Sequence, residues 1–204
     1  MKEIKELVTL YGNKILPCLW LTENGLSEDI QNLIRSFEIK WKCLKIHPAL
    51  RPWEWNPEGS AIKKIFSMAG ANHNIPILIH TGEDESCHAL KYENIISENP
   101  DIPVILAHGR PFESARYMIS KYINVYVDTA FMDTGDIIKL VGDGLSGKIL
   151  WGTDLCIPIV YDSRINLQKY YRRILKKLKS KIGNSEFLDI TLNNAIKLFD
   201  LREI

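Results

Sequence analysis

Short apolar runs alternate with stretches of helical periodicity along the whole chain. The runs lie at 15–22 (ILPCLWLT), 42–47 (KCLKIH), 75–80 (IPILIH), 102–108 (IPVILAH), 124–129 (NVYVDT) and 148–153 (KILWGT). They are rich in β-branched residues and nearly continuous in apolar character, as strands are when both faces of a parallel sheet are covered. Between them, SEDIQNLIRSFE (27–38) opens on Ser27 as an N-cap and repeats Ile30, Leu33, Ile34 and Phe37 at helical spacing. Further helices are predicted near 60–72, 86–98, 112–122, 135–142 and 163–182, and LDITLNNAIKLFDL closes the chain. Strand and helix alternate throughout, which predicts right-handed βαβ units, a mostly parallel sheet and an α/β class in one domain over 1–204.

The polar residues fall at one place in this pattern. Successive runs end at Lys45 and His47, at His80, at His108, at Asp128 and at Asp154. Ligands bind at the carboxyl ends of the strands in parallel α/β folds, so one rim collects these side chains. Imidazole and carboxylate together suit zinc, iron, manganese or nickel. A hydrolytic metal site needs about three protein ligands and an open position for water. His80, His108 and Asp154 are the candidates. Each has a structural alternative. His47 precedes Pro48 and fixes a turn or joins the site. Lys45 faces substrate or sits in a buried ion pair. Asp128 caps the following loop. His73 lies on the opposite rim, and His88 sits in a helical first turn, both as structural residues.

Two loops bear on substrate access. RPWEWNP (51–57) offers Arg51 to a substrate carboxylate and Trp53 and Trp55 to a pocket wall, or packs as a cap. Glu83, Asp84 and Glu85 follow His80 as solvated loop charge or as partners orienting a histidine. The basic run 170–181 reads as the wet face of a helix whose Ile174, Leu175 and Leu178 turn inward.

Composition narrows the rest. With 46% hydrophobic and 25% charged residues the 204-residue chain is an ordinary globular domain, and a net charge of +1 gives no general case for nucleic acid. No apolar run approaches membrane-spanning length, and the N-terminus lacks a signal-peptide pattern. Cys18, Cys43, Cys87 and Cys156 form no CxxC pair and read as reduced thiols of a cytoplasmic protein. No Walker or Rossmann glycine loop is present.

The ordered series LKIHP, PILIHTG, VILAHGR, VYVDT, ILWGTD and NNAIKLFDL resembles the amidohydrolase superfamily, and most of all its amidohydrolase-related branch that includes aminocarboxymuconate-semialdehyde decarboxylase. The resemblance implies a (β/α) barrel of the TIM type with a divalent metal, zinc first, at the carboxyl face. It implies that His80 and His108 match the histidines of the fifth and sixth strands and Asp154 the aspartate of the eighth. Lys45 and His47 match the fourth-strand motif, and Arg110 stands where the family has a second glycine. Asp154 and His108 are then the catalytic residues and Lys45, His47 and Arg110 the substrate contacts, to which the reading of the 51–57 loop adds Arg51 and Trp53. The family's first-strand His-x-His pair has no counterpart here, and ILPCLWLT looks like its third strand. The barrel is therefore expected to be incomplete, with about six strands. It is expected to self-associate, to be closed by its N-terminal helix, or to pair with a partner chain that supplies the first strands. The expected activity is a metal-dependent hydrolysis in which activated water attacks the carbonyl of a small molecule. Nonoxidative decarboxylation and an inactive interaction subunit are the alternatives.

Overall fold

The computed structural model describes residues 2–21, 40–50, 55–155 and 157–201. The predicted helix over 27–38, Arg51, Trp53 and Cys156 lie outside these residues. Six strands form one sheet: β1 (Cys18–Trp20), β2 (Cys43–Ile46), β3 (Ile77–His80), β4 (Val104–Ala107), β5 (Val125–Asp128) and β6 (Ile149–Leu150). They stand side by side in chain order, and every pairing is parallel. Order decides the architecture. Right-handed crossovers that always step in one direction place every helix on the same face. A doubly wound sheet must reverse direction once; this one does not, and its form is that of a partial (β/α) barrel.

The register separates two faces. Leu19, Leu44, Ile77, Ile79, Val104, Leu106, Val125, Val127 and Ile149 belong to the main core. Helices cover them. In α2 (Ser60–Ala71), Ile62, Ile65, Phe66 and Ala69 recur at helical spacing, and all are buried. α3 (Glu93–Ser97), α4 (Phe112–Lys121) and α5 (Thr134–Gly142) add Ile96, Met118 and Ile137 to the same core. The other face carries Trp20, Lys45, Leu78, Ile105 and Tyr126 in register. None of these belongs to the core cluster, and Leu78 and Tyr126 are only half-buried.

The two edges differ. β6 is covered by the C-terminal helical segment. The Trp151 amide donates to the Ile190 carbonyl at 2.9 Å, and Asn194 Nδ2 donates to the carbonyls of Ile149 and Ser146 at 2.7 Å each. These are the backbone groups that a next strand would otherwise satisfy. On the far side, no described strand pairs with β1. At the N-terminus, α1 (Lys2–Tyr11) packs Ile4 against the core and leaves Leu7, Leu10 and Tyr11 exposed.

Most predicted helices form within a residue or two of their expected bounds. The segment near 86–98 does not stay one helix. Asp84 accepts from the Ser86 amide and His88 Nδ1 from the Leu90 amide, so each starts its own short turn before α3 begins. Local side-chain acceptors compete here with a continuous helix. The segment near 163–182 forms one helix, α7 (Leu167–Lys179), after a separate short helix, α6 (Ile157–Tyr161), that the pattern did not predict; Asn166 caps α7 by accepting from the Lys169 amide at 3.0 Å. In α7 Leu178 is buried, Ile174 and Leu175 are half-buried, and the basic residues remain outside. Two short helices, α8 (Asn184–Leu188) and α9 (Asn194–Phe199), flank a π turn at the end.

Candidate active site

Three histidines meet at the carboxyl rim. His47 follows β2, His80 ends β3 and His108 follows β4. The His47 and His80 rings stack at 3.7 Å and 14°, while His80 and His108 meet edge-on at 4.9 Å and 74°. Strand alternation alone would send His108 to the helix-covered face, opposite Ala107. His108 and Gly109 both adopt left-handed backbone angles, φ 67° and 55°, and this swings the ring over the rim. Gly109 is required twice: it takes the left-handed conformation, and a Cβ there would run into the Met132 side chain.

A small network fixes His108. Asp128 Oδ1 accepts from the His108 amide at 3.2 Å and from the Ala130 amide at 2.9 Å. The Ala130 carbonyl then lies 3.2 Å from His108 Nδ1, which must be the protonated nitrogen to donate to it. That leaves the Nε2 lone pair facing His80 Nδ1 at 3.2 Å. Gly152 makes room for the carboxylate, since a Cβ would sit 3.0 Å from Asp128 Oδ1. Thr81 Oγ1 donates to the Ala107 carbonyl at 2.6 Å and accepts from the Arg110 amide at 3.2 Å, tying the β3 and β4 loops together. The Arg110 guanidinium is held by the Phe131 carbonyl at 2.9 Å.

The electrostatics favour neutral rings. Burial pushes the His80 imidazole down to about 3, and the neighbouring His47, His108, Lys45 and Arg110 press in the same direction. Burial likewise lowers His47, with Lys45 as the next cause. His47 Nδ1 is buried and has no hydrogen-bond partner. For the Asp128 carboxyl burial acts upward, against the pull of His108 and the two amides.

The remaining expected residues are placed as follows. Lys45 is half-buried on the helix-free face, with Nζ 5.8 Å from the Trp20 ring. Trp20, 53% exposed, stacks on His47 at 6.1 Å and extends the aromatic wall. Asp154 has a left-handed backbone, φ 45°, and an exposed side chain that makes no hydrogen bond to a described histidine. Asp128 is a loop cap that also positions His108. His73 is left-handed at the opposite end of β3, and His88 caps its turn. Trp55 is buried at 2% exposure, with its carbonyl accepting from the Tyr92 hydroxyl at 3.2 Å, so this part of its loop packs as a cap. The carboxylate of Asp84 is used by Ser86 and does not orient a histidine. Sequence reasoning did not single out Trp20, Thr81 or the Ala130 carbonyl. The first could have been found from the register of alternation with Lys45; a backbone carbonyl has no sequence signature.

A divalent metal fits part of this arrangement. Two imidazole nitrogens on one tetrahedral ion stand about 3.3 Å apart for metal–nitrogen bonds of about 2.0–2.1 Å. His80 Nδ1 and His108 Nε2, at 3.2 Å, have that spacing. Among the described residues no group of three His, Cys, Asp or Glu side chains is close enough to hold an ion, so the pair is not completed there.

Comparison with known proteins bears on the family and the fold. The Amidohydrolase family model matches residues 30–201, and the chain belongs to that family. Its members generally use a divalent metal. An uncharacterised TIM-barrel protein from Bordetella bronchiseptica superposes with a TM-score of 0.75 at 16% identity, over 98% of this chain and 72% of that one. The 4-oxalomesaconate hydratase LigJ from Rhodopseudomonas palustris gives 0.68 at 13% identity, over 98% and 70%. The apo form of Metarhizium anisopliae IDCase gives 0.66 at 14%, over 98% and 68%. At these identities the likeness is one of fold. No curated protein matches. No helix among the described residues is long and apolar enough to cross a membrane.

Proposed function

We propose that the chain performs metal-dependent hydrolysis of a C–N or ester bond in a small carbonyl substrate, at the rim above β2 to β6. The observation that carries this is the nitrogen pair, 3.2 Å apart, with His108 held in one tautomer by the Ala130 carbonyl. His80 and His108 are the ligands this chain offers, and nitrogen donors favour zinc, with manganese, iron or nickel also accepted. A bound cation supplies Lewis acidity, polarising the carbonyl and acidifying a water molecule. The residues of the chain do the rest. Lys45 and Arg110 present positive charge to a substrate carboxylate or to a developing oxyanion. The stacked His47 and Trp20 form a flat wall that excludes water on one side. Asp154 is the base on the rim that takes the proton from water.

The two nitrogens that the described residues bring together are short of a hydrolytic site, which needs about three protein ligands. The missing donors come from chain that pairs with the edge of β1, in a homo-oligomer or from a partner. The exposure of Asp154, which makes no hydrogen bond to a described histidine, favours a second reading, a non-catalytic subunit of an assembly. Zinc and manganese titrations by calorimetry decide between them. The expected result is about one equivalent bound, weakened at least tenfold by His80→Ala and by His108→Ala. Equal binding by the wild type and both variants, or none by any, overturns the hydrolase proposal. Sedimentation above the 23.4 kDa monomer mass is expected if the β1 edge is paired.

A further inference from the structure

Cys18 and Cys43 stand opposite one another in the register of β1 and β2. Both project to the helix-free face, one side-chain layer below Trp20 and Lys45, and neither belongs to the main core. Paired positions on neighbouring strands are about 4.8 Å apart, inside the window of roughly 4.4–6.8 Å between the Cα atoms of a disulfide. The bridge requires only that the Cβ atoms draw slightly closer. β1 can supply this shift, because it is a three-residue edge strand with no described strand beyond it.

The two thiols are unequal. Cys18 is partly exposed and Cys43 buried. A hydrogen bond from Cys43, and then the charge of Lys45, hold the Cys18 thiol below its ordinary range; the same partnership and burial push Cys43 well above it. The Leu44 carbonyl, 3.6 Å from Cys43 Sγ, is the alternative acceptor for its single S–H. One thiol is therefore partly exposed and shifted toward its ionised form, and the other lies buried beside it. Cys87 offers no such pair: it is buried, its Sγ lies 3.6 Å from the Asp84 carbonyl, and burial raises it.

We propose that Cys18 and Cys43 form a reversible redox site, with Cys18 attacking a small-molecule disulfide and Cys43 resolving the product into a bridge between β1 and β2. In the first step the Cys18 thiolate attacks one sulfur of oxidised glutathione. The glutathione disulfide breaks, a mixed disulfide forms on Cys18 and one glutathione thiolate leaves. Cys43 then gives up its proton to the leaving thiolate and attacks Cys18 Sγ. The mixed disulfide breaks and the second glutathione departs. Two protein thiols lose two electrons, and one external disulfide gains them. The bridge staples the open edge of the sheet at the layer beneath Trp20 and Lys45, so oxidation stiffens the wall on which His47 stacks.

The test uses the intact chain, reduced, freed of reductant and incubated with excess oxidised glutathione before acid quenching. Denaturing thiol titration should fall from the four cysteines of the sequence to two, with a mass loss of two hydrogens. Proteolysis should yield a Cys18–Cys43 cross-linked peptide, and dithiothreitol should restore all four thiols in the native protein. Cys43→Ser should stop at a stable glutathione adduct on Cys18, and Cys18→Ser should leave position 43 unmodified. Retention of all four thiols by the wild type, a bridge between other cysteines, or an adduct on wild-type Cys18 that never closes would each overturn the proposal.

Discussion

Asp128 is the residue whose replacement tests the site's construction most directly. Its Oδ1 accepts two amide protons, from His108 at 3.2 Å and from Ala130 at 2.9 Å, and thereby sets both the histidine and the carbonyl that orients its ring. Asp128→Ala leaves two N–H groups unpaired in a partly buried place. At about 1–3 kcal/mol for each, the loss is about 2–6 kcal/mol. For a chain of this size, at about 2–4 °C per kcal/mol, that corresponds to a fall of roughly 4–24 °C in Tm. Asp128→Asn behaves differently, because the acceptor oxygen stays and only the charge goes. Burial disfavours that charge, so the asparagine variant should remain within about 1 kcal/mol of the wild type. Urea unfolding at neutral pH under reducing conditions measures both, and amide hydrogen exchange at His108 and Ala130 reports the local effect. An alanine variant as stable as the wild type refutes the role of the two amides. An asparagine variant as damaged as the alanine one shows instead that the charge, paired with His108 and Lys45, matters.

Three further outcomes are expected. The metal-free protein should lose stability as pH falls from about 6.5 toward 3: unfolded His80 takes a proton there that the folded ring, faced by His47, His108, Lys45 and Arg110, refuses. The full linkage at pH 5 is about 2 kcal/mol, and solvent screening of this half-exposed ring reduces it to about 1 kcal/mol; denaturation curves at pH 7.5 and 5 check it, and an unchanged slope in His80→Asn refutes the assignment. Asn194→Ala should cost about 2–6 kcal/mol by stranding the carbonyls of Ile149 in β6 and of Ser146 in the turn before it, read as a lower urea midpoint. Gly109→Ala should cost about 1–2 kcal/mol for its left-handed backbone, and Met132→Ala in the same chain should relieve the contact but not that strain; full rescue would place the whole cost in packing.

The sheet was legible from the sequence because the periodicity that marks strands is also what buries them. Six apolar runs became six strands in chain order, and the histidines that close the second, third and fourth runs meet at one rim. The last strand is shorter than its apolar run because Trp151 and Gly152 turn their amides to Ile190 and Thr129. Such exchanges are tertiary, and no pattern of residues announces them. The site was half legible for a similar reason. His80 lies where alternation puts it, on the helix-free face with Leu78. His108 does not, and it joins His80 only through two consecutive left-handed residues.

This difference says how the pair is built. His80 is positioned by a strand, and its orientation is inherited from the sheet. His108 is positioned by a turn, and its orientation rests on Asp128, Gly109 and the Ala130 carbonyl. A strand-held ligand tolerates changes in its loop, whereas a turn-held one fails when any support is removed. On the proposed metal site, substitutions at Asp128 and Gly109 should therefore weaken zinc binding through His108 in calorimetry while the stacking of His47 on His80 persists. The opposite result, loss of that stacking with the 3.2 Å nitrogen pair intact, would show that the rim is held together by its histidines and not by the turn.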